Sequence, residues 1–103
     1  MTRQRIVITG LGGLCALGTD VASIWQGMRD GRSAIGEIST PFLRDVKTRI
    51  GAEIKQLPEW DVDRRRLEAI DRFSQLAAMS AEQAMKQSGI AVADMDDTRV
   101  GAV

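Results

Sequence analysis

The sequence predicts a mixed α/β chain, and three observations carry that prediction. Residues 5–9 (RIVIT) form a β-branched apolar run without alternation, the pattern of a strand covered on both faces. A long stretch from Ile70 to Met85 repeats its apolar residues at helical spacing. Residues 99–103 (RVGAV) begin a second run of the fully covered strand type.

Taken in order, the first strand is ended abruptly by Gly10, Gly12 and Gly13. Thr19 or Asp20 then N-caps a helix running from about residue 20 to 30. In it Val21, Ile24, Trp25 and Met28 fall at i, i+3, i+4 and i+7, and Gly31 supplies a left-handed stop. Residues 32–47 mix Gly, Ser, Pro and charge and read as loop, with one short turn of helix at Pro41-Phe42-Leu43. Residues 48–54 alternate loosely, with Ile50, Ala52 and Ile54 on one side, and predict a half-exposed strand.

After Pro58, Asp61 or Asp63 can cap a short basic turn. The main helix follows, with Ile70, Phe73, Leu76, Ala77, Ala81, Ala84 and Met85 in phase until Gly89 stops it. Its small residues Ala77, Ser80, Ala81 and Ala84 let it lie close against neighbours, so it is expected to be buried between other elements. Trp25, Phe42, Trp60 and Phe73 read as core or interface packing. Two covered strands need cover on both faces, and only two substantial helices are available. The chain, residues 1–103, is therefore expected to be part of a domain completed by further polypeptide.

Composition narrows the function. The chain is 44% apolar and 27% charged, a globular balance with at most one domain. Lysine plus arginine equal aspartate plus glutamate at 14 each, so no global field draws it to nucleic acid or to an acidic membrane. The apolar run at Ile6–Ile8 is broken by Thr9 and Gly10, short of the roughly 7–15 residues a signal peptide needs. No stretch approaches the roughly 20 apolar residues of a membrane span. A single cysteine, Cys15, rules out an internal disulfide framework and fits a reducing, cytoplasmic setting. With no histidine, neither a His base nor a His metal ligand comes from this stretch, and no metal or cofactor site is expected.

Gly10-Leu11-Gly12-Gly13-Leu14-Cys15 invites a dinucleotide-binding reading. A GxGxxG begun at Gly10 needs its third glycine at Cys15, and the TGxxxGxG form needs glycines at Leu14 and Ala16. Asp30 stands 20 residues beyond Gly10, where a ribose-binding carboxylate could lie, but the helix pattern places it at a helix end. The expectation is a tight turn where backbone packs on backbone. Cys15 has no histidine to activate it and reads as a small inert side chain.

Three stretches together resemble the β-ketoacyl-[acyl-carrier-protein] synthase family. They are Arg5-Ile6-Val7-Ile8-Thr9-Gly10-Leu11-Gly12 with Leu17-Gly18, Trp25 and Gly31-Arg32-Ser33-Ala34-Ile35; Asp71-Arg72-Phe73-Ser74-Gln75 leading to Ser88-Gly89-Ile90; and Thr98-Arg99-Val100-Gly101-Ala102. Gly12-Gly13-Leu14-Cys15 with Ser23-Ile24-Trp25 is most similar to the family's nodulation subgroup, which shapes the acyl chain of a signalling lipo-oligosaccharide. The resemblance implies a thiolase-like, five-layered α/β/α/β/α fold, of which this chain is the truncated N-terminal part.

It also implies decarboxylative condensation of an acyl chain with malonyl-carrier protein, by a cysteine nucleophile and two histidines. Those residues lie beyond Val103, so no catalytic role is carried onto Cys15 and the stretch alone is expected to be inactive. Malonyl- and acyl-loaded acyl carrier protein is the implied partner, and a homodimer the implied assembly. Arg64, Arg65 and Arg66 form a local cationic patch where the family presents basic residues to the acidic carrier protein. Glu68 and Ala69 depart from that basic pattern, and such a charge run otherwise reads as a solvated helical turn. A non-catalytic chain-length-factor-like partner and an NAD(P)-dependent oxidoreductase are the alternative functions.

Overall fold

A computed structural model describes residues 2–41 and 45–103. Its scaffold is three helices, one antiparallel strand pair and a glycine-rich segment laid across the longest helix.

The first helix, α1 (Val21–Arg29), starts where the sequence places it. Asp20 is extended, its Oδ1 accepts the Ser23 amide at 2.8 Å, and the Ser23 hydroxyl donates back to the Asp20 carbonyl at 3.0 Å. Such a cap is worth about 1 kcal/mol. The helix stops at Gly31, whose φ of 63° no β-carbon favours, with the Arg32 amide folded back onto the Gly27 carbonyl at 2.9 Å. Arg32 then reaches over α1 to the Leu17 carbonyl at 2.6 Å, closing the turn between Cys15 and Gly18 onto the helix end.

Strands β1 (Gly36–Glu37) and β2 (Ile50–Gly51) pair antiparallel, Gly36 opposite Gly51 and Glu37 opposite Ile50. Next comes α2 (Arg64–Glu68), capped by Asp63, and then α3 (Arg72–Ser88), closed by Gly89 at φ 67°. Short 3-10 turns at Val92–Asp94 and Asp97–Arg99 follow.

The glycine segment meets α3 backbone to backbone. A β-carbon at Gly12 would overlap the Ser80 carbonyl oxygen and stand 2.8 Å from its carbon; one at Gly10 would overlap the Ala84 carbonyl oxygen. The tight approach expected of these glycines is present, and the small side of α3 is what admits it. Two glutamine amides stitch the contact: Gln83 Oε1 accepts from the Gly13 amide at 3.1 Å and Gln87 Oε1 from the Leu11 amide at 2.5 Å. Gln83 Nε2 also donates to the Thr19 carbonyl at 2.7 Å, tying in the approach to α1. Val21 and Ile24 pack over Gly13 from the other side.

Several expectations are corrected. Residues 5–9 and 99–103 form no strand, because a strand needs a hydrogen-bonding neighbour and none of the described residues supplies one. Ile6 is 96% and Ile8 82% exposed as a result. The strand expected over 48–54 shrinks to Ile50–Gly51, and its partner Gly36–Glu37 lies in a stretch read as loop. The small face of α3 is covered on one side only: Ser80 and Ala84 meet the glycines, while Ala77 and Ala81 are exposed. Trp25 and Phe73 are exposed, whereas Trp60 is half-buried; Phe42 and Leu43, with the helical turn expected there, lie outside the described residues.

Met79 is the one buried large apolar side chain among the described residues. The radius of gyration is 17.6 Å, against about 13 Å for a closed 100-residue domain. The elements are thus formed and mutually placed but open to one side.

Glycine at position 12 is the sensitive point of this arrangement. Gly12→Ala should destabilise the protein by about 2–3 kcal/mol or more, since the obstructing atoms are backbone. Gly36→Ala, where nothing stands within 4 Å, should change stability little. Urea unfolding of the two variants checks the contrast.

Candidate functional site

The three arginines singled out in the sequence open α2, so the chemistry of this region begins with how a five-residue helix is held. Asp63 Oδ1 accepts the Arg65 amide at 3.0 Å, which starts the turn. The Arg66 amide bonds the Asp63 carbonyl at 2.9 Å and the Leu67 amide does so at 3.2 Å. The loop before it is fastened by Trp60, whose indole Nε1 donates to Glu82 Oε2 on α3 at 2.5 Å. Glu82 Oε1 in turn takes Lys86 Nζ at 2.6 Å. Those two donors, Lys86 first and Trp60 second, hold the Glu82 carboxyl below its usual range. Beyond α2, Gln75 Nε2 donates to the Leu67 carbonyl at 2.9 Å and to the Ile70 carbonyl at 3.2 Å.

The arginines are not equivalent. Arg64 Nε pairs with Glu68 Oε1 at 2.9 Å, one helical turn away, with both side chains largely in solvent. Arg65 and Arg66 are exposed and make no ion pair with any described residue. The structure therefore leaves two unneutralised guanidinium groups on one short helix. Glu68, which in the sequence only interrupts the basic pattern, has a definite partner in Arg64. An exposed pair of this kind contributes little to stability.

A second polar constellation lies at the strand pair. Glu53 accepts the Ser39 amide at 2.8 Å, the Ser39 hydroxyl at 2.9 Å, the Thr40 amide at 3.2 Å and the Thr40 hydroxyl. The carboxylate thereby ties the chain just past β1 to the chain just past β2. A groove of about 580 Å³ opens beside it, lined by Thr40, Pro41, Ile54, Lys55 and Arg72. Arg72 Nη2 reaches the Ile54 carbonyl at 2.5 Å. Neither Gln75, the Trp60–Glu82 link nor the Glu53 clamp was visible in the sequence. Each joins residues with no fixed spacing, whereas the Glu82–Lys86 and Arg64–Glu68 pairs carry a local i, i+4 signal.

Two amides of the glycine turn are closed to a dinucleotide. The Leu11 and Gly13 amides, the donors that would cradle a pyrophosphate, are taken by Gln87 and Gln83. Cys15 sits in the tight turn, exchanging backbone hydrogen bonds of 2.9 and 3.1 Å with Gly18, and is half-buried. Among the described residues no cluster could hold a metal ion, and no helix is long and apolar enough to cross a membrane.

Comparison with known proteins decides the family. The model of the β-ketoacyl synthase N-terminal domain matches residues 3–103. The chain belongs to the β-ketoacyl synthase family. It is 54% identical over 100 residues to nodulation protein E of Rhizobium sp. (strain N33), covering 97% of this chain and 25% of that protein. Against nodulation protein E of Rhizobium leguminosarum bv. trifolii the identity is 50% over 99 residues, covering 96% and 25%. The 3-oxoacyl-[acyl-carrier-protein] synthase 2 of Coxiella burnetii is 34% identical over 102 residues, covering 98% and 25%. The chain thus spans about a quarter of the length of these relatives, and both the family and the nodulation likeness read from the sequence hold. Membership implies a thiolase-like fold.

The Glu53 clamp gives a pH-dependent outcome. Its carboxyl is lowered from 4.5 to about 2, chiefly by the Ser39 amide and next by the Thr40 hydroxyl. Because the folded value lies below the unfolded one, the clamp's contribution is complete above about 4.5 and is lost as pH falls through about 2. A carboxyl NMR titration of Glu53 should show that low midpoint. Glu53→Gln, with one acceptor oxygen instead of two, should speed amide exchange at Ser39 and Thr40 at neutral pH.

Proposed function

We propose that residues 1–103 are the opening part of a condensing acyltransferase with the five-layered α/β/α/β/α architecture of thiolase-like enzymes. The enzyme elongates an acyl chain by decarboxylative Claisen condensation with malonyl-carrier protein, in the synthesis of a fatty acid or of the acyl chain of a nodulation signal. The observation that carries this reading is the match of residues 3–103 to the synthase N-terminal domain, together with 54% identity to a nodulation protein E. The exposed residues Ile6, Val7 and Ile8 fit it, since the relatives are about four times as long and can supply the strands this segment lacks.

Within that enzyme this segment does not perform the chemistry. It contains no histidine to serve as a base, and its cysteine sits in a turn closed by backbone hydrogen bonds with Gly18. Its role is scaffold and recognition. Arg65 and Arg66, unpaired and exposed, meet an acidic acyl carrier protein, with Arg64 contributing less because Glu68 already neutralises it. Charges at such a rim steer encounter more than they deepen the complex, so they act mainly on association rate. The complete enzyme works in the cytoplasm, where the carrier protein delivers its substrates, and is a homodimer.

Two measurements on the full-length protein test this. Supplied with acyl- and malonyl-carrier protein, it should release carbon dioxide and form a 3-oxoacyl product two carbons longer; absence of any condensation product overturns the enzymatic reading. Arg65→Glu with Arg66→Glu should weaken carrier-protein binding about tenfold at low salt and flatten its salt dependence. Arg64→Glu alone should have a smaller effect.

A further inference from the structure

Helix α2 has too few residues to persist by itself, since isolated helices shorter than about 12–15 residues are marginal in water. Its shape must be imposed from outside, and the imposing groups can be named. At the leading end the loop is pinned by Trp60 to Glu82. At the trailing end Gln75 donates its amide to the Leu67 carbonyl at 2.9 Å, which the Ile70 amide reaches only at 3.4 Å, and to the Ile70 carbonyl just past the helix. Gln75 is itself fixed in the first turn of α3, its backbone amide bonded to the Asp71 carbonyl at 3.0 Å. Gln75, Met79 and Glu82 fall at i, i+4 and i+7, one stripe of α3, and Met79 on that stripe is buried. The segment carrying the arginines is therefore suspended along a single face of α3.

We propose that Gln75 is a positioning residue for carrier-protein docking: by capping the carbonyl end of α2 it holds Arg65 and Arg66 in the array that the acidic partner meets. This deepens the docking reading above and rests on it. Leu67, whose carbonyl Gln75 holds more closely, at 2.9 Å, than the Ile70 amide does at 3.4 Å, follows Arg66 directly, so loss of Gln75 loosens the turn that carries the arginines. Two loose arginines retain their charge but lose their common direction. Ordering them again on binding then costs side-chain and backbone entropy that the capped helix has already lost.

The test uses the full-length protein and Gln75→Met, which keeps the side chain's length and helix preference but removes both donors. Amide exchange in residues 64–68 should accelerate about tenfold without partner. Affinity for acyl carrier protein should fall about three- to tenfold, with a shallower salt dependence. In the background of Arg65→Glu with Arg66→Glu, adding Gln75→Met should cost nothing further, a coupling that general destabilisation would not produce. If Gln75→Met does not fold, Gln75→Glu, which lacks donors at neutral pH, gives the same readouts.

Unchanged exchange in residues 64–68 overturns the inference. So does unchanged affinity in Gln75→Met when the arginine reversal still weakens binding; in that case the docking reading stands alone. If the arginine reversal itself leaves affinity unchanged, the docking reading falls and takes the inference with it.

Discussion

The arrangement of this chain depends on the contact of Gly10 and Gly12 with the backbone of α3 at Ser80 and Ala84. Two peptide chains can approach this closely only where neither carries a side chain of any size, and the sequence meets that condition on both sides. The contact alone is non-directional. Gln83 and Gln87 give it a register, since each accepts one backbone amide from the glycine segment. Gln83 then extends the same grip to the Thr19 carbonyl, and through it to the start of α1. One face of α3 thereby sets where the first thirty or so residues lie.

A different face of α3 organises the segment that carries the arginines. Gln75, Met79 and Glu82 lie under the segment from Trp60 to Ile70, so the arginine helix and the glycine turn are held by the same rod without touching one another's contacts. The charge distribution follows from this division. Glu82 is occupied by Trp60 and Lys86, Glu68 by Arg64, and Glu53 by Ser39 and Thr40, which leaves Arg65 and Arg66 without a carboxylate. A chain with zero formal net charge can still carry two adjacent cations that no ion pair neutralises among the described residues.

What could be read from the sequence was whatever depends on neighbours along the chain. The Asp20 cap, the left-handed glycines at 31 and 89, the capping of the basic turn by Asp63 and the helical phase of α3 all follow from spacings of a few residues. The glycine turn was legible as backbone packing because its spacing fails the phosphate-binding pattern at Cys15. Strands were misread in both directions for one reason: pairing is a property of two segments. Residues 5–9 have strand chemistry without a partner here, whereas Gly36–Glu37 has little strand chemistry but does have a partner. Of the candidate site, the three arginines were legible, but their inequality was not. It arises from the Arg64–Glu68 pair, an i, i+4 contact within the basic run that engages the first arginine and leaves the other two.

The glutamine stitching has a consequence for how the protein is made. Leu11 waits for a side chain 76 residues further on, and Gly13 for one 70 residues further on. At ribosomal speeds of roughly 5–20 residues per second, that interval is on the order of four to fifteen seconds. Throughout it, Ile6, Val7 and Ile8 belong to a segment whose docking surface on α3 has not yet been synthesised. The glycine segment is thus made well before the helix it docks on, and it finds its place only once α3 has been synthesised.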